Sequence, residues 1–399
     1  MRALAVAASL TLAALSAVPA AGPAAPSTIQ FVFTSDSHFG LTKKTFRGRT
    51  DVDAAVVNEA LVTAINALPS QKLPKDGGIG ASLEVGPIDF VANGGDIANR
   101  AEVTDSGSIQ PAAVSWAEFE RVYLKGVRVT DHNGRPAPVF AVPGNHDVSN
   151  AIGYPRPMQP AHDGTALAGL YNLMMKPATP VTPATLVYPR DRVLTTRDIG
   201  GVHFIFLTVW ADSSAREWMM RDLATIPSTT PVMIVTHDQP DAEGKHFTNP
   251  NGQRDINPTD KFENLLVDAL EDGPTVEVPS VREQSALERV LSRYPNVTAY
   301  FHGNSNWNQF YDWTGPEGTL ALHAFRVDSP MKGDLSATDE TRLSFQLATI
   351  DMATRRMTVR EVLYNAHRGA TTAPGGVDIT WGASTTVALA PRPAPARVF

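Results

Sequence analysis

Short apolar runs rich in β-branched and aromatic residues recur along the first three quarters of the chain. Runs of this length and composition are typical of buried strands. The pattern predicts six strands, at 29–33, 88–92, 138–142, 201–209, 232–236 and 297–301. Segments with helical features lie between them, at 51–68, 115–124, 215–223 and 281–291. Ser115 and Glu118 have the spacing of a capping box at the start of the second helix.

The last quarter of the chain has a different pattern. Apolar residues at 320–325, 343–350 and 357–363 predict antiparallel strands joined by short turns. The chain has no internal repeat and no linker that would divide it into two globular domains. Strands that alternate with helices and then continue alone predict an α/β fold, in which two sheets with outer helices enclose one core.

Composition narrows the possible partners. The 399 residues are 43% hydrophobic and 19% charged, which suits one large domain or two ordinary ones. With a formal charge of −7, nothing favours a nucleic-acid partner or an anionic membrane, either of which would need a basic face. The chain has no cysteine, which excludes disulfides and thiolate ligands, so any metal site must use nitrogen and oxygen.

The N-terminal residues predict export. A positive start, an apolar run and small residues near Ala20 predict a signal peptide at 1–20; an uncleaved membrane anchor is the alternative. No later stretch is long and apolar enough to span a bilayer, so we expect a periplasmic or secreted protein. A Pro/Ala-rich tether at 21–28 precedes a domain at 29–389, which has an insertion near 239–280 and is followed by a tail at 390–399.

Four clusters of polar residues follow predicted strands. They are Asp36 with His38, Gly94-Gly95-Asp96, Gly144-Asn145-His146-Asp147 and Thr236-His237-Asp238. Because the carboxyl ends of parallel strands meet at one edge of a sheet, we expect these side chains to converge there. Carboxylates, imidazoles and an amide oxygen can hold two divalent metals about 3.5–4 Å apart, which suits in-line displacement at phosphorus. Taken singly, Asp-x-His and Gly-Asp are more often turn residues than ligands.

Residue types within the clusters suggest roles. Asp96 has two carboxylate oxygens, each able to bind one metal, and Asn145 offers a hard, neutral amide oxygen. His146 is suited to act as an acid or to stabilise charge on a phosphoryl oxygen. Asp147 is placed in sequence to orient that imidazole, as carboxylates beside metal sites do.

The order of these clusters, each after a buried strand, resembles the calcineurin-like metallophosphoesterases over roughly residues 29–310. The resemblance implies a two-sheet β-sandwich flanked by helices (α/β/β/α), a dinuclear metal centre and hydrolysis of phosphate esters. Carried over by position, it implies the following roles: Asp36 and His38 on the first metal, Asp96 bridging, Asn145 and His237 on the second, and His146 as the non-ligand catalytic histidine.

The last motif of that family, Gly-His-x-His, is altered in this chain. The matching stretch is Gly303-Asn304-Ser305-Asn306, with asparagine in place of both histidines. In one interpretation, Asn304 and Asn306 still coordinate, which favours Mn, Mg or Ca over Zn. In a second, water replaces them and one metal is weak or absent; in a third, His302 swings into the site. The identity of the two divalent metals stays open among Mn, Fe, Zn, Mg and Ca.

The sequence therefore predicts an exported metal-dependent phosphoesterase that hydrolyses phosphate mono- or diesters with hydroxide generated at a dinuclear centre. A catalytically weak or inactive protein that binds a phosphorylated ligand is the alternative, because both family histidines are missing. The expected partner is a small-molecule phosphate ester. Its identity, the preference between mono- and diesters, and the oligomeric state stay open.

Overall fold

The computed structural model describes residues 28–153, 157–188, 190–241, 246, 281–367 and 376–392. The predicted signal peptide at 1–20 and most of the insertion near 239–280 lie outside the described residues, as do the tether up to residue 27 and the end of the tail. Within the described part of the chain, no helix has the length and apolar character needed to cross a membrane.

Two six-stranded sheets lie at the centre of the described structure. The strand order of the first sheet is β16 (Thr380–Ala388), β15 (Arg356–Leu363), β14 (Ser344–Asp351), β1 (Thr28–Thr34), β4 (Phe90–Asn93) and β7 (Val139–Ala141). The strand order of the second sheet is β12 (Gln309–Trp313), β13 (Leu322–Arg326), β11 (Val297–His302), β10 (Val232–Val235), β9 (Val202–Leu207) and β8 (Leu194–Ile199). Two short ribbons complete the strands: β2 (Thr42–Phe46) with β3 (Arg49–Asp53), and β5 (Val103–Thr104) with β6 (Gly107–Ser108).

The strands that precede the polar clusters are parallel. In the first sheet β1, β4 and β7 run in one direction, and in the second sheet β9, β10, β11 and β13 do so. The α-helices of the described residues are α1 (Ala54–Ala67), α2 (Ala112–Phe119), α3 (Asn145–Ile152), α4 (Thr165–Met175), α5 (Ser213–Leu223) and α6 (Val281–Arg293).

Apolar packing joins these elements into four layers. Between the sheets, the ring of Phe31 meets those of Phe204 and Phe301 edge to face, with centroids 5.6 and 5.1 Å apart. Val32, the next residue along β1, points the other way and packs with Leu61 of α1, because successive side chains of a strand face opposite sides. On the far side, the second sheet packs against α5 and α6 in the same manner. The helix–sheet–sheet–helix order confirms the predicted α/β/β/α fold class.

The second helix begins earlier than predicted. α2 starts directly after Pro111, so Ser115 lies inside the helix, and its hydroxyl donates to the carbonyl of Phe39 at 2.9 Å. The backbone N–H of Ala113 donates instead to the carboxylate of Asp163 at 2.8 Å. The capping-box prediction is wrong, because the free N–H at the start of the helix bonds to a carboxylate from a distant segment. Residue spacing within the helix cannot reveal such a partner.

The late strands divide between the two sheets. β14 and β15 form the predicted antiparallel pair. β13 lies in the other sheet, antiparallel to β12 and parallel to β11, so the predicted short turn from it to the next strand is wrong. Strands β8, β12 and β16 were not predicted, since most of their side chains are half-buried or exposed and form no apolar run. Arg392, in the predicted tail, donates to the carbonyl of Val297 at 3.0 Å, so the packed domain reaches at least that residue.

Candidate metal centre

The predicted site residues converge at one edge of the two sheets. They follow the carboxyl ends of five parallel strands: Asp36 and His38 after β1, Asp96 after β4, Asn145 and His146 after β7, His237 after β10, and residues 303–306 after β11. Strands β1, β4 and β7 are neighbours in the first sheet, and β10 and β11 are neighbours in the second. The site therefore lies where the ends of both sheets meet, as parallel strand ends predict.

Backbone conformation selects the residue types of this site. Asp36, His38, Asp96, Asn304 and Asn306 all have positive φ angles, of 55°, 42°, 51°, 62° and 60°. Among residues with a side chain beyond glycine, Asp, Asn and His are those most often found in this left-handed region. Asparagine at 304 and 306 thus satisfies the backbone at the positions where the family has histidine.

Two glycines allow the loops to touch. A Cβ atom on Gly144 would overlap the Asp96 carboxylate, and one on Gly303 would overlap the Asp36 carboxylate. The backbone N–H of His146, two residues after Gly144, donates to Asp96 Oδ1 at 2.8 Å. The loops after β4 and β7 are thereby held together with the Asp96 carboxylate between them.

Asp96 belongs to two groups of buried side chains that could each hold a metal ion. One group is His38, Asp96 and His146, and the other is Asp36, Asp96 and His237; within each, the ligand atoms lie within 4.8 Å of one another. The sharing of Asp96 fits its predicted bridging role. Asp36 and His38 belong to different groups, whereas the family resemblance implies that they bind the same metal. His38 Nε2 nevertheless lies 3.6 Å from Asp36 Oδ1.

His237 is oriented as a ligand would be. Its Nδ1 donates to the carbonyl of Gly94 at 2.8 Å, so its other nitrogen, Nε2, faces Asn145 Oδ1 at 2.9 Å and Asp96 Oδ1 at 3.5 Å. A metal-binding histidine commonly donates its other ring hydrogen to a backbone carbonyl in this way. Burial alone would lower the pKa of His237, but the charges of Asp96, Asp36 and Asp238 outweigh it and raise the pKa to about 9.

The donor atoms fit a pair of divalent cations. Asp36 Oδ1 and His38 Nδ1 are buried without a hydrogen bond, and Asn145 Oδ1 faces Nε2 of His237 at 2.9 Å. Buried acceptors that face one another are costly unless a proton or a cation lies between them. Burial would raise the pKa of Asp36, yet the neighbouring His237 and His38 lower it to about 2, so this carboxylate stays charged. Carboxylate, imidazole and amide donors are the nitrogen and oxygen set that a chain without cysteine must use.

Asp147 does not contact the imidazole that it was predicted to orient. Its carboxylate accepts from the backbone N–H groups of Ile97, Ala98 and Gly144, at 3.2, 3.0 and 3.0 Å. Burial and the charge of Asp96 raise its pKa to about 7 despite these bonds. Asp147 thus fixes the loops around Asp96, and its contacts differ from the predicted one because the turn after β7 becomes the first turn of α3.

Sequence reasoning missed two cations beside His146. The guanidinium of Arg100 and the ammonium of Lys332 lie 3.1 and 3.2 Å from His146 Nε2, and the backbone N–H of Arg100 donates to Nδ1 at 3.1 Å. Burial, together with the charges of Arg100 and Lys332, lowers the pKa of His146 well below its ordinary value. Burial lowers the pKa of Lys332 to about 8, although Asp96 acts in the opposite direction. Arg100 lies only four residues after Asp96, so its closeness in sequence could have placed it near the site. Nothing in the sequence connects Lys332 with the clusters.

The altered last motif contacts the centre through its backbone. The N–H of Asn304 donates to Asp36 Oδ2 at 3.0 Å, and the Asn304 side chain lies 3.4 Å from Gln239 Oε1. Asn306 donates to the carbonyl of Asn304 at 2.7 Å, while its own Oδ1 is buried without a hydrogen bond. His302 points to Tyr311, whose hydroxyl lies 2.8 Å from Nε2. A swing of His302 into the site would break that contact.

The sequence of this chain matches a known family. A model of the family described as calcineurin-like phosphoesterase matches residues 29–328, more than half of the chain. The chain therefore belongs to the calcineurin-like phosphoesterase family, and the resemblance is confirmed. With the ligand-like groups around Asp96, membership supports a metal-dependent phosphoesterase. No curated protein matches the chain significantly.

Solved structures that are similar to this chain share low sequence identity with it, as three examples show. A dimetal phosphatase from Danio rerio is 10% identical, with a TM-score of 0.42, over 84% of this chain and 95% of the other. The phosphopantetheinyl hydrolase of Mycobacterium tuberculosis is 14% identical, with a TM-score of 0.33, over 76% and 91%. A single mutant of Vps29 from Entamoeba histolytica is 10% identical, with a TM-score of 0.32, over 89% and 98%. At these values the likenesses carry no argument about activity.

Proposed function

We propose that this protein is an exported metal-dependent phosphoesterase that hydrolyses phosphate mono- or diesters of small molecules. The observation that best supports the proposal is the pair of buried ligand-like groups that share Asp96. A carboxylate common to two groups is suited to bridge two cations about 3.5–4 Å apart. The low exposure of the whole set, from 0% at His237 to 7% at His146, favours a specific centre over a patch of surface charge.

The residues around Asp96 have distinct tasks in this proposal. When bound, two divalent cations supply a hydroxide nucleophile near neutral pH and neutralise charge on the phosphoryl group. Asp36 and His38 would hold one cation and Asn145 and His237 the other, with Asp96 between them. The amide oxygens of Asn304 and Asn306 are candidates for the positions of the missing histidines.

His146 acts as a hydrogen-bond donor to the reacting phosphoryl group. Its Nδ1 accepts from the backbone N–H of Arg100, so in the neutral ring the hydrogen is on Nε2. Nε2 lies 3.7 Å from Asp96 Oδ2, on the side of the shared carboxylate. Its lowered pKa favours this donor role over that of a protonated acid. A donor aimed at developing negative charge stabilises the transition state.

Metal content and turnover of the purified full chain test the proposal. We expect two equivalents of a divalent metal after loading with Mn, hydrolysis of p-nitrophenyl phosphate or bis(p-nitrophenyl) phosphate, and loss of both metal and activity with a chelator. Metal binding should also raise the melting temperature, because a ligand that binds the folded state stabilises it. A loaded protein that hydrolyses neither ester would reject the enzyme.

The altered motif at Asn304 and Asn306 favours one alternative, a protein that binds phosphorylated ligands with little or no turnover. In that case inorganic phosphate would bind to the metal-loaded protein while both esters stay intact. Retention of a shared carboxylate and a donor histidine gives the enzyme the stronger support. Export is a separate part of the proposal, tested by N-terminal sequencing of the protein recovered outside the cytoplasm, which should begin at Ala21.

A further inference from the structure

A cavity of about 140 Å³ lies beside the candidate metal centre, and none of the candidate metal ligands lines it. Its lining includes Trp307, which directly follows Asn306, and Asp328, which directly precedes Ser329. The hydroxyl of Ser329 donates to the carbonyl of Asp36 at 2.9 Å, so the same two loops border the cavity and the centre. A cavity of about 150 Å³ can enclose a molecule the size of benzene, so a small organic solute fits here.

The most buried lining residue is Asp328, whose carboxylate has no partner. The residue is 3% exposed, and neither carboxylate oxygen accepts a hydrogen bond from the described residues. The nearby hydroxyl of Ser336 donates to the carbonyl of Ser329 at 3.4 Å, and the Lys43 ammonium donates to that of Pro330 at 3.1 Å. Burial raises the pKa of Asp328 to about 8, although Lys43 acts in the opposite direction. Because an unpartnered buried carboxylate is costly, a positively charged occupant would stabilise it.

Glycine makes room for both carboxylates that line the cavity. A Cβ atom on Gly333 would overlap Asp328 Oδ1, and one on Gly382 would overlap the Glu361 carboxylate. Glu361 is half-buried, and its Oε2 accepts from the backbone N–H of Ala383 at 3.0 Å. Two glycines accommodate the carboxylates of the candidate metal centre in the same way. The backbone is therefore shaped around two negative groups that line one cavity.

The charge of the lining changes sign from the inner end of the cavity to its mouth. Asp328 is buried and Glu361 is half-buried, whereas Arg342 is exposed. Trp307, which is half-buried, and Leu335, which is 54% exposed, add apolar surface. An occupant of this cavity would therefore meet negative charge inside, positive charge outside and apolar side chains along its length.

This lining fits a small zwitterion better than a metal ion. An ammonium group has three donors and no acceptor, which suits the unpartnered oxygens of Asp328. An anionic group on the same molecule would then reach the mouth, where the Arg342 guanidinium can form charge-assisted hydrogen bonds with it. A metal ion would meet the two carboxylates, but it would add positive charge opposite Arg342 and leave the apolar surface of Trp307 and Leu335 without contact.

We propose that this cavity binds a small zwitterion, whose primary ammonium group contacts Asp328 and Glu361 and whose anionic group contacts Arg342. The ligand supplies the positive charge that the described residues do not place against the Asp328 carboxylate. The proposal does not depend on phosphoesterase activity, because the cavity and the candidate metal centre have no side chain in common.

Three probes with the same three-carbon chain test the two charges separately. β-Alanine carries both charges, propylamine carries only the ammonium, and propionate carries only the carboxylate. In titrations of the full chain followed by nuclear magnetic resonance, β-alanine should bind most tightly. Propylamine should bind about two- to fivefold more weakly, because an exposed arginine contributes a modest ion pair. Propionate should not bind measurably, and failure of β-alanine to bind would reject the proposal.

Asp328→Asn tests the inner end of the cavity with a side chain of the same size. Affinity for β-alanine should fall roughly ten- to a hundredfold, because charge-assisted hydrogen bonds are lost. Arg342→Gln should weaken β-alanine to the level of propylamine and leave propylamine unchanged. Asp334→Asn, at an exposed position of the same loop, is the matched control and should bind as the wild type does. Metal content should stay at the wild-type value in all three variants.

Thermal unfolding at pH 8 without added ligand gives an independent result. A carboxylate buried without a partner destabilises the folded state, so Asp328→Asn should melt at the wild-type temperature or about 1–3 °C above it. A decrease of several degrees would reveal a structural partner for the carboxylate and overturn the proposal. Equal affinity for β-alanine in Asp328→Asn and the wild type would overturn it as well. Binding of an additional equivalent of Ca or Mn that Asp328→Asn abolishes would make the cavity a metal site instead.

Discussion

On one side of the candidate metal centre the backbone fixes the charged groups, and on the other side neutral side-chain amides hold the loop. The carboxylate side consists of residues 94–100 and 144–147, where backbone N–H groups donate to Asp96 and to Asp147. The amide side consists of residues 302–306 with Gln239, where Asn304 and Ser305 contact the Gln239 amide oxygen at 3.4 and 2.9 Å.

The two sides also differ in exposure and charge. Asp96, His146 and Asp147 are buried, whereas Asn304 and Asn306 are half-buried and uncharged. A buried carboxylate with several backbone donors can move little, so the carboxylate side should determine whether cations bind at all. The amide side, with its neutral oxygens, should tune affinity and metal preference. Substitutions on the two sides therefore have effects of different size.

The largest effect is expected from Asp96→Asn on the carboxylate side. The change removes the shared negative charge between the two ligand-like groups, so metal and turnover should be lost together. A loss of several kcal/mol of transition-state stabilisation corresponds to a decrease in kcat/KM of roughly a thousandfold or more. Elemental analysis and a phosphatase assay measure the two effects. Asp105→Asn, at an exposed position, is the control. An Asp96→Asn protein with bound metal and near-normal turnover would show that the carboxylate side does not determine whether cations bind.

His146→Asn should produce the next largest effect, and on turnover alone. The ring contributes a donor beside Asp96, and loss of such a group typically lowers kcat about a hundredfold or more. Metal content should stay at the wild-type value, with exposed His162→Asn as the matched control. Loss of one metal equivalent would instead make His146 a ligand, in line with its place in the group with His38 and Asp96.

The double change Asn304→His and Asn306→His tests the amide side. Both positions have the left-handed backbone that also accommodates His38, so we expect the variant to fold. Imidazole binds Zn more readily than an amide oxygen does, and affinity for Zn should rise by at least about tenfold. Competition with a metal-binding dye measures it. Unchanged affinity for every metal would place the amide side outside the coordination sphere.

A change remote from both sides should leave metal binding unaffected. Asp76 forms a two-point ion pair with buried Arg360, with N–O distances of 2.8 and 3.0 Å. Asp76→Asn leaves that guanidinium without its charge partner and should lower the free energy of unfolding by about 2–3 kcal/mol. Denaturant unfolding measures the loss, and metal affinity should change by less than about twofold. An equal loss of metal affinity would show that general destabilisation, and not local chemistry, explains the effects at the centre.

The same ion pair predicts a pH dependence of stability. Although burial would raise it, the hydrogen bond from Arg360 lowers the pKa of Asp76 to about 2 in the folded protein. A lowered pKa means that the stabilisation is present above the ordinary value of about 4 and is lost as the pH falls through about 2. The difference in unfolding free energy between the wild type and Asp76→Asn should therefore shrink between pH 4 and pH 2.

The sequence predicted the carboxylate side of the site better than the contacts around His146 and Asp147. The glycines and polar residues that follow apolar runs predicted the carboxylate side, because close loop contact there depends on local features such as Gly144 beside Asp96. The role of Asp147 differed from its prediction, because hydrogen bonds across 49 and 50 residues of chain occupy its carboxylate. Lys332 was missed for the same reason, since 186 residues separate it from the His146 ring that it contacts.

The sequence was enough to predict the four layers, the order of the buried strands along the chain and the side chains at their ends. Buried strands require runs of apolar residues, and the tight turns after them require glycine and polar residues, so both can be recognised locally. The tertiary structure alone decided which carboxylate lies between two groups, which face His302 occupies, and which cations approach His146. Those choices depend on contacts between segments whose separation along the chain has no regular pattern, and burial then sets the electrostatics of each group.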